Sequence, residues 1–152
     1  MRSRADLAIA VLLAAVAIPA CASGLDNKLP DMESILALES RASQAQPREQ
    51  CFLYAQLVHQ MTELSVRQYA QGNIDKATDL LKHVQELSQK IHLSIAQNDK
   101  RIKNIEILLS HTAFRLTEML HASSFEDRPL VQETLADVRT AQRDSMFQVF
   151  KK

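Results

Sequence analysis

Glycine is nearly missing from this chain: Gly24 and Gly72 are the only two in 152 residues. A loop that cradles phosphate needs several glycines close together so that backbone N–H groups can turn towards the anion. The nucleophile elbow and oxyanion loop of a serine hydrolase make the same demand. One internal glycine at Gly72 supplies neither. Basic charge is not in surplus, since 18 Lys and Arg balance 18 Asp and Glu, and a protein that neutralises many phosphates needs such a surplus. The longest apolar run, Leu7 to Ile18, is about twelve residues, short of the ~20 that cross a bilayer as a helix. Period-two alternation of Val, Ile, Thr and aromatics, the mark of a half-buried strand, is found nowhere.

What is present begins with an address. Arg2 and Arg4 precede the apolar run, and small residues close it at Ala20, Cys21, Ala22 and Ser23. This pattern is that of an export signal. Ala20 and Ala22 form an A-x-A site that leaves a mature chain starting at Ser23. Alternatively, Ile18-Pro19-Ala20-Cys21 resembles a bacterial lipobox, which would leave Cys21 acylated and the protein held to a membrane by lipid; Pro19 departs from that pattern. The expected organisation is an export signal over 1–22, a flexible segment over 23–30 and one all-helical domain over 31–152, with the periplasm or the outside of the cell as the expected location.

The mature chain carries 16 basic and 17 acidic residues, and their signs are mixed along it. Such a pattern describes solvated helix faces and argues against a nucleic-acid partner. Cys51 is the one cysteine left besides Cys21, so no intramolecular disulfide is expected in the mature protein. The core must hold the fold.

Breakers beyond the signal fall at Pro30, Pro47, Gly72 and Pro129, and the intervals are rich in helix formers. The class is all-α. Asp31 is placed to cap a short helix running to about Ala45 that uses Met32, Ile35, Leu36 and Ala42. Pro47 suits the first turn of a second helix, which Gly72 ends as a left-handed stop. Asn73 is placed to cap the third helix, while Asp127 and Pro129 announce the last, which continues towards Phe150.

From Asn73 to Asp127 there is no breaker. Apolar or small residues recur at 77, 81, 84, 88, 91 and 95, and again at 102, 105, 109, 112, 116 and 119. These alternating steps of four and three describe a seam packed against neighbouring helices. Asn98 and Asp99 can act as stop and cap, giving four main helices of about 22 to 24 residues in an antiparallel bundle. The alternative is one fused helix of nearly fifty residues. In the second helix, Gln56, Gln60, Glu63 and Arg67 form a narrow polar stripe. The wide apolar arc beside it, with Cys51, Tyr54, Leu57, Val58, Met61, Leu64 and Tyr69, faces two neighbours within the chain, or one neighbour and a second copy.

Few side chains offer chemistry. Glu118 and His121 have the E-x-x-H spacing that ferritin-like di-iron bundles use twice, but here it occurs once. Both lie off the seam, beside His111, Ile107 and Phe114, and are expected to point outward or towards a partner. His59, His83 and His92 have no ligand spacing. Cys51 sits in the apolar arc, where a buried inert thiol is expected; an intermolecular disulfide and redox chemistry are the alternatives. Phe147 and Phe150 flank a helix whose other face carries Val131, Leu135, Val138, Met146 and Val149. They are expected to close the end of the core, with an exposed contact patch as the alternative. No catalytic, cofactor or metal residue is assigned.

Leu64, Ser65, Gly72, Ala77 and Leu81 resemble the helix-turn-helix half of a tetratricopeptide unit. The resemblance covers about twenty residues; no second copy follows at the 34-residue period, and Gln89 stands where that family places proline. The functional expectation is an exported, non-enzymatic helical interaction or scaffold protein that binds a protein partner or itself. The alternative is a periplasmic-type helical chaperone or stress sensor. Proteins of that kind resemble this chain in size and helical content, although Leu116-Thr117-Glu118-Met119-Leu120 only begins their L-T-x-x-Q motif. A metal-binding bundle based on Glu118, His121 and His111 is the third reading.

Overall fold

Apart from turns and short connections, the described residues are helical throughout. A computed structural model describes residues 29–97 and 101–151. The export signal, the lipobox cysteine, most of the segment over 23–30 and the proposed cap at Asn98 and Asp99 lie outside them. Five helices follow one another: α1 (Met32–Gln44), α2 (Pro47–Ala70), α3 (Ile74–Ser94), α4 (Ile102–Ala122) and α5 (Arg128–Phe150). None is long and apolar enough to cross a membrane.

Local chemistry sets most boundaries. The Ser34 N–H donates to Asp31 Oδ1 at 2.8 Å and the Asp31 N–H donates to Ser34 Oγ at 3.1 Å, a reciprocal cap that fixes the start of α1. Pro47 opens α2, where a missing N–H loses no helical bond. Gly72 follows the end of α2 with φ of +80°, the left-handed conformation that glycine adopts without a Cβ penalty. Two expected caps act differently. Asn73 makes no side-chain cap; its amide donates to Gln68 Oε1 instead. Asp127 likewise leaves the first N–H groups of α5 alone and accepts from Tyr69 and Ser124.

The fused-helix alternative is overturned. The chain leaves the α-helix at Ser94, tightens into a 3₁₀ turn over Ile95–Gln97 and starts α4 at Ile102. The seam nevertheless keeps its phase across the break: all twelve apolar or small seam positions are buried. Ser88 and Thr112 can occupy it because their hydroxyls donate to the carbonyls of Val84 and Leu108 one turn back, at 2.7 and 2.8 Å. A buried hydroxyl is costly only when it lacks such a partner.

Helices joined by a turn run antiparallel. Ser65 Oγ donates to the Ala77 carbonyl at 3.0 Å near the Gly72 turn, while Lys90 lies over the Tyr54 ring at the other end of the α2–α3 pair. Small Ala77 allows that close approach. The two hairpins, α2–α3 and α4–α5, then lie side by side in the same orientation, with α2 against α4 and α3 against α5. Pairs such as Glu63 with Arg115 and His92 with Asp144 join positions 52 residues apart in sequence. Across the hairpins the neighbouring helices therefore run parallel, and the α3–α4 connection spans a diagonal of the bundle. That differs from a bundle in which every adjacent pair is antiparallel, and the offset is not the 34-residue period of tetratricopeptide units.

α2 packs against α1, α3 and α4, so most of its wide apolar arc is covered within the chain, with Tyr54 and Tyr69 partly buried. In α1, Leu38 joins Ile35 and Ala42 in the core, whereas Met32 and Leu36 are exposed. They border a shallow groove between α1 and α3.

Candidate interaction surface

The inward and outward faces of α4 carry different chemistry. Ile102, Ile105, Leu109, Thr112, Leu116 and Met119 point into the core, while Ile107, His111, Phe114, Glu118 and His121 stand on the opposite side, exposed. The outward placement of Glu118 and His121 agrees with their phase off the seam. Two large apolar side chains, Ile107 and Phe114, occupy the centre of this exposed face, one heptad apart, and leave 50% and 63% of their surface open.

α5 extends the apolar surface. Antiparallel pairing brings its last turns beside the first turns of α4, where a groove of about 300 Å³ is lined by Lys103, Glu106, Ile107, Met146, Val149 and Phe150. Phe147 and Phe150 are 61% and 80% exposed. They do not close the core, as their position near the C-terminus suggested: Val131, Leu135 and Val138 fill it, and Val149 covers its edge. The aromatics, one residue either side of the buried phase, are left outside.

Beside this face runs a polar seam between α2 and α4. Arg115 Nε donates to Glu63 Oε1 at 2.7 Å, and its other arm reaches Glu118. These two hydrogen bonds, to Glu63 first and then to Glu118, hold the guanidinium pKa above its usual value. The Glu118 carboxylate is thus engaged by a cation, which is poor preparation for a metal. Among the described residues no three His, Cys, Asp or Glu converge as a ligand group.

His59, half-buried on α2, lies 3.3 Å from Thr112 Oγ1 through Nδ1. The Thr112 proton is already given to the Leu108 carbonyl, so the hydroxyl oxygen accepts and His59 Nδ1 donates. Burial pushes the His59 pKa below its ordinary value; His111 and Arg115 act in the same direction and Glu63 opposes them. The ring of His111 is 6.4 Å away, centroid to centroid.

The remaining histidines are separated, as their spacing indicated. His83 faces Glu39 of α1 at 4.0 Å, and His92 contacts Asp144 of α5. Cys51 is 1% exposed in the core, which withdraws it from disulfide exchange with another chain and from redox chemistry, since both need an accessible thiolate. The Glu63–Arg115 and His59–Thr112 pairs escaped the sequence reading because they join helices that are distant in sequence. Their one local trace was the Gln56, Gln60, Glu63 and Arg67 stripe, which is half-buried against neighbours.

Compared with protein-family models, curated proteins and solved structures, the chain matches none with statistical significance.

Proposed function

We propose that this is an exported, non-enzymatic interaction protein that engages a protein partner through the outward face of α4 and the C-terminal turns of α5. The observation that carries the reading is the set of large, apolar and exposed side chains Ile107, Phe114, Met146, Phe147 and Phe150 on these two elements, of which Ile107, Met146 and Phe150 line one groove. Exposed apolar groups grouped on one side of a soluble fold mark contact surfaces more often than scattered single ones do. Aromatics also supply large contact area at small entropic cost. In the neighbouring seam, Arg115 engages Glu63 and Glu118, and His59 engages Thr112, which favours binding over catalysis, where convergent and available polar groups are needed. Export is supported by the basic, apolar and small-residue sequence over residues 1–22.

A photo-crosslinking residue placed at Phe114 in the cells that make the protein tests the surface, with the still more exposed Leu93 on α3 as a control. A protein adduct at 114 and none at 93 is the expected result; no adduct at 114 would sink the reading. Intact mass of the exported chain tests the address, with a start at Ser23 or an acylated Cys21 expected.

The chaperone reading draws on a second exposed apolar region, the α1–α3 groove bordered by Met32 and Leu36. Methionine adapts to varied apolar partners. Failure to suppress aggregation of a denaturing client would remove it.

A further inference from the structure

The outward face of α4 has a symmetry that bears on its occupant, an inference that rests on this face being an interaction surface. The midpoint between Ser110 and His111 divides it evenly. Ile107 and Phe114 lie equally far on either side of that midpoint, and so do Lys103 and Glu118. If two α4 helices meet antiparallel about a two-fold axis there, each residue faces its counterpart across the midpoint. Ile107 then meets Phe114 of the second copy, and Lys103 meets its Glu118. Both contacts occur twice, as an isologous interface requires. A helix face chosen without regard to this pairing has no reason to set apolar opposite apolar and cation opposite anion in one register.

We propose that the partner on this face is a second copy of the chain, paired through antiparallel α4 helices. Phe114 of each copy lies opposite Ile107 of the other, at the mouth of the groove that Met146 and Phe150 complete. An aromatic anchor entering an apolar pocket is the arrangement that concentrates binding energy in protein interfaces. Glu118 is 47% exposed while bonded to Arg115, so an oxygen can still receive Lys103 from the other side. The two Lys103–Glu118 pairs set the register and exclude the parallel alternative, which would place like charges together.

Light scattering on the mature chain, with charge-swapped variants, tests the pairing. Wild type runs at twice the chain mass. Lys103→Glu alone sets two anions against two anions, and Glu118→Lys alone sets cations against cations; each weakens self-association about tenfold or more. Mixing the two variants restores the dimer, because each then offers the complement of the other. Circular dichroism confirms that both remain folded. His111→Cys gives a second readout: half a residue from the axis, position 111 lies close to its own image as well as to Ser110 of the second copy, so a disulfide-linked dimer forms, while Leu93→Cys gives none. A monomeric wild type at all concentrations, or variants that fail to recover on mixing, would overturn the proposal. If the crosslinker at 114 then captures a different protein, the surface keeps its role and only self-pairing falls. If it captures nothing, both fall.

Discussion

The Tyr69 hydroxyl, in the last turn of α2, donates to Asp127 Oδ2 at 3.0 Å and accepts from the Ser124 N–H at 2.9 Å. One phenol thereby ties the end of the first hairpin to the turn of the second. Asp127 makes no side-chain cap on α5; its Oδ2 accepts from both Tyr69 and Ser124 instead. Tyr69→Phe removes both bonds while keeping the ring. Each net hydrogen bond contributes about 0.5–1.5 kcal/mol, so a loss of about 1–2 kcal/mol is expected in urea denaturation. Combining it with Asp127→Ala should cost less than the sum of the two, since they share one interaction.

The seam can be tested by contrast. Leu109 and Leu116 have no exposed surface, and truncating either to alanine leaves a cavity as well as lost burial, about 2–5 kcal/mol. Leu93 on α3 is 79% exposed. Leu93→Ala should stay within about 0.5 kcal/mol of wild type. Equal effects at Leu93 and Leu109 would contradict the register of the bundle.

Gly72 isolates a backbone effect. A Cβ built there meets nothing within 4 Å, so Gly72→Ala is penalised through its positive φ and not by a clash. About 1–2 kcal/mol is expected, with Gly72→Asn milder because asparagine tolerates this conformation. Thermal unfolding of the two variants measures the order.

His59 should make stability depend on pH. Its folded pKa lies below the ordinary 6.5 because burial disfavours the charged ring. The unfolded chain therefore takes up the proton first as pH falls through about 6.5, and stability declines from there until the folded ring also protonates. Above that window both states are neutral at this site and the effect vanishes. His59→Gln should flatten the pH dependence of the denaturation midpoint on the acid side of neutrality.

Much of this fold was legible in the order of residues. The sparse breakers delimited four helical segments; the division between α3 and α4, with no breaker to mark it, stayed open between a stop at Asn98 and Asp99 and one fused helix. Asp31, Pro47 and Gly72 marked ends, and the apolar or small positions from Ala77 to Met119 named an inward face that is buried. These features depend on neighbours within one or two turns, where helix geometry alone relates sequence to direction. The apolar, exposed phase of Ile107 and Phe114 was equally visible, but nothing local distinguished a free surface from one covered by another helix.

Tertiary packing decided the rest. It placed α4 beside α2 in parallel, paired Arg115 with Glu63 and Tyr69 with Asp127, covered the arc of α2 on three sides and left Phe147 and Phe150 outside. Each of these depends on which helix lies next to which. Four amphipathic helices of similar length can bury their stripes in more than one order, so periodicity settles which face turns inward, and only the assembled packing selects the neighbour it meets.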